Sequence, residues 1–189
     1  MAVVHPLSEE NLDPALREQV QFFKGPLGVI PNSVRTMAHR APIAEAFTNL
    51  NIAVMQDYGG VTPALKRLIG YFSSFASGCM YCQAHMILAS ERFGNSEDKL
   101  TPVWQFEDSD AFTPAEKAAL AFAHAATQQP NAVTDEIAAE LNRHWSPAEV
   151  VEIMSVVALF GYLNRWNDSM GSALEDLPRS KGEQRLGDS

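Results

Sequence analysis

Helix-start signals recur along this chain, and convincing strand punctuation is absent. Asp13-Pro14, Thr62-Pro63, Thr113-Pro114 and Ser146-Pro147 each set an N-cap acceptor before a proline whose fixed φ suits the first helical position. In Thr113-Pro-Ala-Glu116 and Ser146-Pro-Ala-Glu149 a glutamate completes a capping box, so hydroxyl and carboxylate satisfy backbone donors reciprocally. Gly25-Pro26 is expected to stop the first helix after about three turns. Further helices are expected over Ala41 to Gln56, ended by Gly59-Gly60, over Tyr81 to Arg92, and over Thr134 to His144. From Val150 to Phe160 nearly every position is apolar, which suits a helix enclosed by others. Alternating apolar runs bounded by hairpin turns are not seen, so the pattern predicts an all-α bundle. The repeated helix openings are compatible with an internally duplicated helical unit. The polar, glycine-containing stretch after Leu177 is expected to form a flexible C-terminal tail over 177–189, leaving 1–176 as a single domain.

With 189 residues, 46% of them apolar, the chain can build a sizeable core without staples. Its formal charge of −9 argues against a nucleic-acid surface, which needs clustered Lys and Arg to displace counterions. No apolar run reaches the roughly 20 residues of a membrane helix. The longest, Val150 to Leu163, is interrupted by Glu152 and Ser155, so no membrane role is expected. The opening Met1-Ala-Val-Val-His-Pro lacks the basic patch and apolar stretch of a secretion signal, and a cytoplasmic location is expected. Reducing buffers there keep thiols unpaired. Two cysteines at CxxC spacing therefore read as catalytic, redox-sensing or metal-binding rather than as a staple.

Those cysteines stand in Ser77-Gly-Cys79-Met-Tyr-Cys82-Gln-Ala-His85. On a helix, Cys79, Cys82 and His85 recur every three residues along one edge. Gly78 is expected to end one helix and let the next begin at Cys79. Both sulfurs would then lie at a helix N-terminus, where backbone N–H groups favour thiolate and a lowered pKa is expected. A thiolate can attack a hydroperoxide oxygen, become a sulfenic acid, and be resolved to a disulfide by a neighbouring thiol. A plain core pair is the structural alternative. Zinc has three potential ligands here, Cys79, Cys82 and His85, but no further cysteine, so no metal is expected. Haem attachment needs histidine directly after the second cysteine, where Gln83 stands.

The segment Gly28 to Pro42, then Leu65-Lys-Arg-Leu-Ile69, and Gly78-Cys-Met-Tyr-Cys-Gln-Ala-His85 resemble the carboxymuconolactone decarboxylase and alkylhydroperoxidase D-like superfamily, especially its peroxidase-related branch. Similarity extends through Trp104 to Glu107, Phe112 to Glu116 and Phe160 to Asp168. The resemblance implies an all-helical homo-oligomer that reduces hydroperoxides without a cofactor, Cys82 attacking the peroxide and Cys79 resolving it. An unidentified external dithiol would restore the reduced pair. Two departures stand out. The relay glutamate that relatives carry about three turns before the first cysteine is matched here by Arg67, and the relay histidine position is Met86, with His85 one place earlier. His85 is still expected to serve, since positions three and four onward share a helix face. Arg67 is the candidate for holding Cys82 as thiolate electrostatically. Glu107 is weighed as a substitute for the lost glutamate, with surface placement the stronger expectation.

The polar run Asn164, Arg165, Asn167 and Asp168 either lines a pocket or subunit contact or is a solvated helix end. Two other functions stay open. One is a carboxymuconolactone decarboxylase-like enzyme acting on a lactone-like small acid, which would not need the cysteine pair. The other is a non-catalytic CxxC redox switch.

Overall fold

The computed structural model describes residues 2–100 and 103–186. Among the described residues there are helices and connecting turns and no strand. The first helical run comprises α1 (Pro14–Gln19), a 3-10 turn (Val20–Phe23) and α2 (Lys24–Leu27). It does not stop at Gly25-Pro26. Pro26 sits in the first turn of α2, where a missing N–H breaks no intrahelical bond, and the run closes at Gly28 with φ +77°. Then come α3 (Asn32–Met37), α4 (Ala41–Met55), α5 (Pro63–Ala76) and α6 (Met80–Arg92). The chain continues through α7 (Glu97–Leu100), α8 (Pro114–Thr127), α9 (Asp135–His144), α10 (Pro147–Met170) and α11 (Asp176–Leu186). Both expected capping boxes form, and the Thr62 hydroxyl accepts from Leu65 N–H at 3.1 Å.

Helix α5 is the hub of the bundle, packing on α6, α8 and α10. It approaches α10 closely at Gly70, where a Cβ would come within 2.5 Å of the Phe160 ring. The fully buried Lys66 fastens the same junction. Its ammonium donates to the Val54 and Gln56 carbonyls at the end of α4, 3.0 and 2.6 Å away, and pairs with Glu152 of α10 at 2.7 Å. Two carbonyls near the α4 terminus thereby find donors away from water.

Two expectations are corrected. Helix α10 has the length and composition of a membrane span, yet it packs against α4, α5, α6 and α8. It is not enclosed on all sides, however, since Val151 is 65% exposed and Met154 and Tyr162 are also open. Its neighbours cover one flank only. Nor is the segment after Leu177 a loose tail. It forms most of α11, docked on α6 through the Glu91 carboxylate, which Lys181 and Arg185 each approach at 2.9 Å. Gly182 lets the helices meet, for a Cβ there would lie 2.9 Å from that of Ala84. The polar composition of α11 serves ion pairing to a neighbour rather than solvation. Residues 187–189 of the expected tail lie outside the described residues.

Candidate active site

Gly78, at φ +74°, takes the left-handed conformation that ends α5. Gly78 N–H donates to Phe75 O and Cys79 N–H to Ser74 O, both at 3.0 Å. The reversal makes Cys79 the N-cap of α6 and sets Cys82 in its first turn, as the spacing predicts. Both cysteines are free, Cys79 wholly buried and Cys82 3% exposed, and Cys79 acts directly on the Cys82 thiol.

The expected lowering of the Cys82 pKa does not occur. Burial pushes the thiol well above its ordinary value, and the adjacent Cys79 and the charge of Asp168 push the same way. Against them stands Asn167, whose Nδ2 donates to Cys82 Sγ at 3.4 Å and to Leu163 O at 2.9 Å. Desolvation of a thiolate in an apolar wall thus outweighs the favourable field of the helix N-terminus. Cys82 rests as a thiol.

His85 lies one turn further along. Its Nδ1 is 2.9 Å from the Tyr81 carbonyl, and its Nε2 is 2.9 Å from Glu175 Oε2, close enough to pair but off the line of a hydrogen bond. Glu175, in the short connection between α10 and α11, receives the Tyr81 hydroxyl at 2.9 Å and the Asn32 N–H. Tyr81 in turn accepts from Ser33 N–H at 3.3 Å. Burial disfavours the Glu175 carboxylate, but His85 and the Asn32 N–H outweigh burial and hold it below the usual carboxyl range. Acceptors thus face both ring nitrogens, the Tyr81 carbonyl at Nδ1 and the Glu175 carboxylate at Nε2. Tyr81 stays a neutral phenol, its pKa raised first by burial and then by Glu175.

Cys82 and His85 share a small apolar cavity of about 50 Å³, walled by residues including Phe47, Phe160 and Leu163. Arg67, the expected electrostatic support, is engaged elsewhere. Its Nη1 donates to Met55 O and Pro63 O at 3.3 and 3.1 Å, and its guanidinium lies 3.8 Å from the centre of the Phe93 ring. The charged neighbour acting on Cys82 is the acidic Asp168. Glu107 is exposed at the surface and its carbonyl accepts from Lys117. Within the polar run, Asn167 reaches Cys82 and Asn164 is buried against Ser73, whereas Arg165 and Asp168 are exposed. The residue that sequence reasoning missed is Glu175. It lies outside the helical periodicity of the CxxC motif and far from it in sequence, and no local pattern marks it.

The profile of the carboxymuconolactone decarboxylase family matches residues 41–125. Crystal structures of the debrominase Bmp8 superpose over most of the chain. The apo form gives a TM-score of 0.89 at 34% identity, covering 96% of this chain and 97% of Bmp8. A cysteine-to-alanine variant in complex with 2,3,4-tribromopyrrole gives 0.90 at 33% identity, covering 97% of each chain. A peroxidase-related protein from Ralstonia eutropha JMP134, with an alkylhydroperoxidase D core, gives 0.82 at 22% identity and covers 96% of each chain. The YnjA protein of Escherichia coli (strain K12) is 27% identical over 118 residues, a match spanning 62% of this chain and 64% of YnjA.

Proposed function

The chain belongs to the carboxymuconolactone decarboxylase and alkylhydroperoxidase D-like superfamily, and from that premise we propose that it is a dithiol-dependent reductase of small apolar organic molecules, with organic hydroperoxides as its substrates. The observation that carries this reading is that Cys82 lines an apolar cavity shared with His85 while its partner thiol, Cys79, is wholly buried nearby and does not line it. Cys82 attacks the terminal peroxide oxygen, the O–O bond breaks, and an alcohol departs. The thiol proton ends on the departing oxygen, with the His85–Glu175 pair as the store through which it passes. The Cys79 thiol then attacks the Cys82 sulfenic acid, releasing water and forming the disulfide. An external dithiol returns the pair to its reduced state.

A second reading is favoured by the likeness to Bmp8. In reductive debromination, two thiols and an aryl bromide give the disulfide, the arene, a proton and bromide, so the same pair supplies the same two electrons. Single-turnover mixing of the reduced protein with tert-butyl hydroperoxide, and separately with a bromopyrrole, decides between them. The expected result is loss of both thiols with one equivalent of tert-butanol released per chain. Arene and bromide from the second mixture alone would move the assignment to debromination. Loss of thiols in neither mixture would overturn the reductase reading, and turnover of a lactone acid by both cysteine-to-serine variants would replace it with decarboxylation.

A homo-oligomer is proposed as the working form. Val151, Met154 and Tyr162 on α10 and Leu50 on α4 are large apolar side chains left exposed. A second copy can cover such side chains. Sedimentation is expected to show a dimer or larger form that the Val151→Glu, Met154→Glu double variant converts to monomer. A wild-type monomer at micromolar concentration would contradict this.

A further inference from the structure

The cavity beside Cys82 does not end at its own walls. A second cavity, of about 30 Å³, adjoins it across Phe23, Leu27, Asn51, Met86 and Phe160, residues that line both. Together they form an apolar slot with opposite chemistry at its two ends. At one end lie Cys82 and His85, with Glu175 and Asp168 behind them. The far end is Arg67, which is only 4% exposed and lines the second cavity. Its Nη1 is used by two backbone carbonyls, but Nε and Nη2 have no protein acceptor among the described residues, and no carboxylate there approaches the guanidinium within salt-bridge distance. Burial lowers its pKa only to about 10, so it remains a cation at neutral pH.

A guanidinium that lines a cavity with no carboxylate paired to it is poised for an anion that presents two oxygens to its fork. We propose that the substrate is an apolar organic acid whose carboxylate pairs with Arg67 while its reacting group lies against Cys82. This rests on the reading of the Cys82 cavity as the reactive site. The guanidinium lies at the end away from Cys82, so the slot orients an anionic ligand in one direction. Met86, on the shared wall, is flexible enough to let the two small cavities merge around a ligand.

The test uses hexanoate and hexanamide, which differ in charge at nearly constant shape, titrated calorimetrically into the reduced protein. Hexanoate is expected to bind about tenfold more tightly or better, the scale of a charge-assisted bidentate contact. It is also expected to slow alkylation of Cys82 by iodoacetamide. Arg67→Met should abolish the preference for the acid, bringing its affinity to that of hexanamide. Because Arg67 also holds the Met55 and Pro63 carbonyls, Arg67→Lys serves as the milder variant, with a reduced but measurable preference. Equal affinity of wild type for acid and amide, or acid binding without protection of Cys82, would overturn the proposal. Acid preference with protection but no reductive turnover would keep the anion site and reject the reductase reading. Turnover without acid preference would do the reverse.

Discussion

Replacing Cys82 by serine is expected to remove reductive turnover altogether, a loss on the order of 10³-fold or more. Cys79→Ser is expected to consume a single equivalent of substrate and then stop. The asymmetry follows from placement. Cys82 lines the cavity, whereas Cys79 is wholly buried and does not. Stopped-flow measurement of substrate loss over several turnovers checks both variants, and equal activity of the two would contradict the assignment of roles. The rate should also rise with pH beyond the range of an ordinary thiol, because burial holds the Cys82 thiol protonated there.

Glu175→Gln is expected to have the second large effect, on stability and activity together. His85 is 4% exposed, and Glu175 is the carboxylate paired with it. Removing one partner of such a buried pair is destabilising, and a loss of about 3 kcal/mol is expected. The glutamine can still accept from Tyr81 and Asn32, which limits the damage to the charge itself. Turnover should fall about 10²-fold, the lower range for a positioned proton donor. The pH dependence has a definite sign. The Glu175 carboxyl sits below its usual range in the folded chain. Its contribution is therefore complete above the unfolded-chain value and disappears as pH falls through the lowered folded value. Urea unfolding from about pH 7 down to about pH 3 should show that acid-side loss in wild type and a smaller one in the variant. Identical pH profiles would show that Glu175 carries no such charge.

Much of the bundle is legible in the sequence because its helix starts are chemical signatures. The Thr113 and Ser146 boxes and the Thr62 cap depend on three or four adjacent residues, and local geometry alone settles them. Gly78 is equally local: a left-handed residue must end α5, and the register of Cys79 and Cys82 on α6 follows. What failed was decided by tertiary context. α11 looks like a tail because it has little apolar surface, but it is held by Glu91 and by the close approach at Gly182. The Cys82 pKa departs from expectation because a helix N-terminus is visible in sequence and the depth of burial is not. Glu175 was invisible for a related reason, since only folding brings the connection after α10 to the ring of His85. The carboxylate absent at Arg67 is matched by one from the opposite end of the chain, beside His85.

Exposing the reduced protein to one equivalent of hydroperoxide and mapping its thiols by peptide mass spectrometry tests the central claim most directly. The account predicts a single intrachain bond between Cys79 and Cys82, with a sulfenic acid trapped at Cys82 when Cys79 is serine. Two free thiols after the oxidant has been consumed, or oxidation that begins at Cys79, would contradict it.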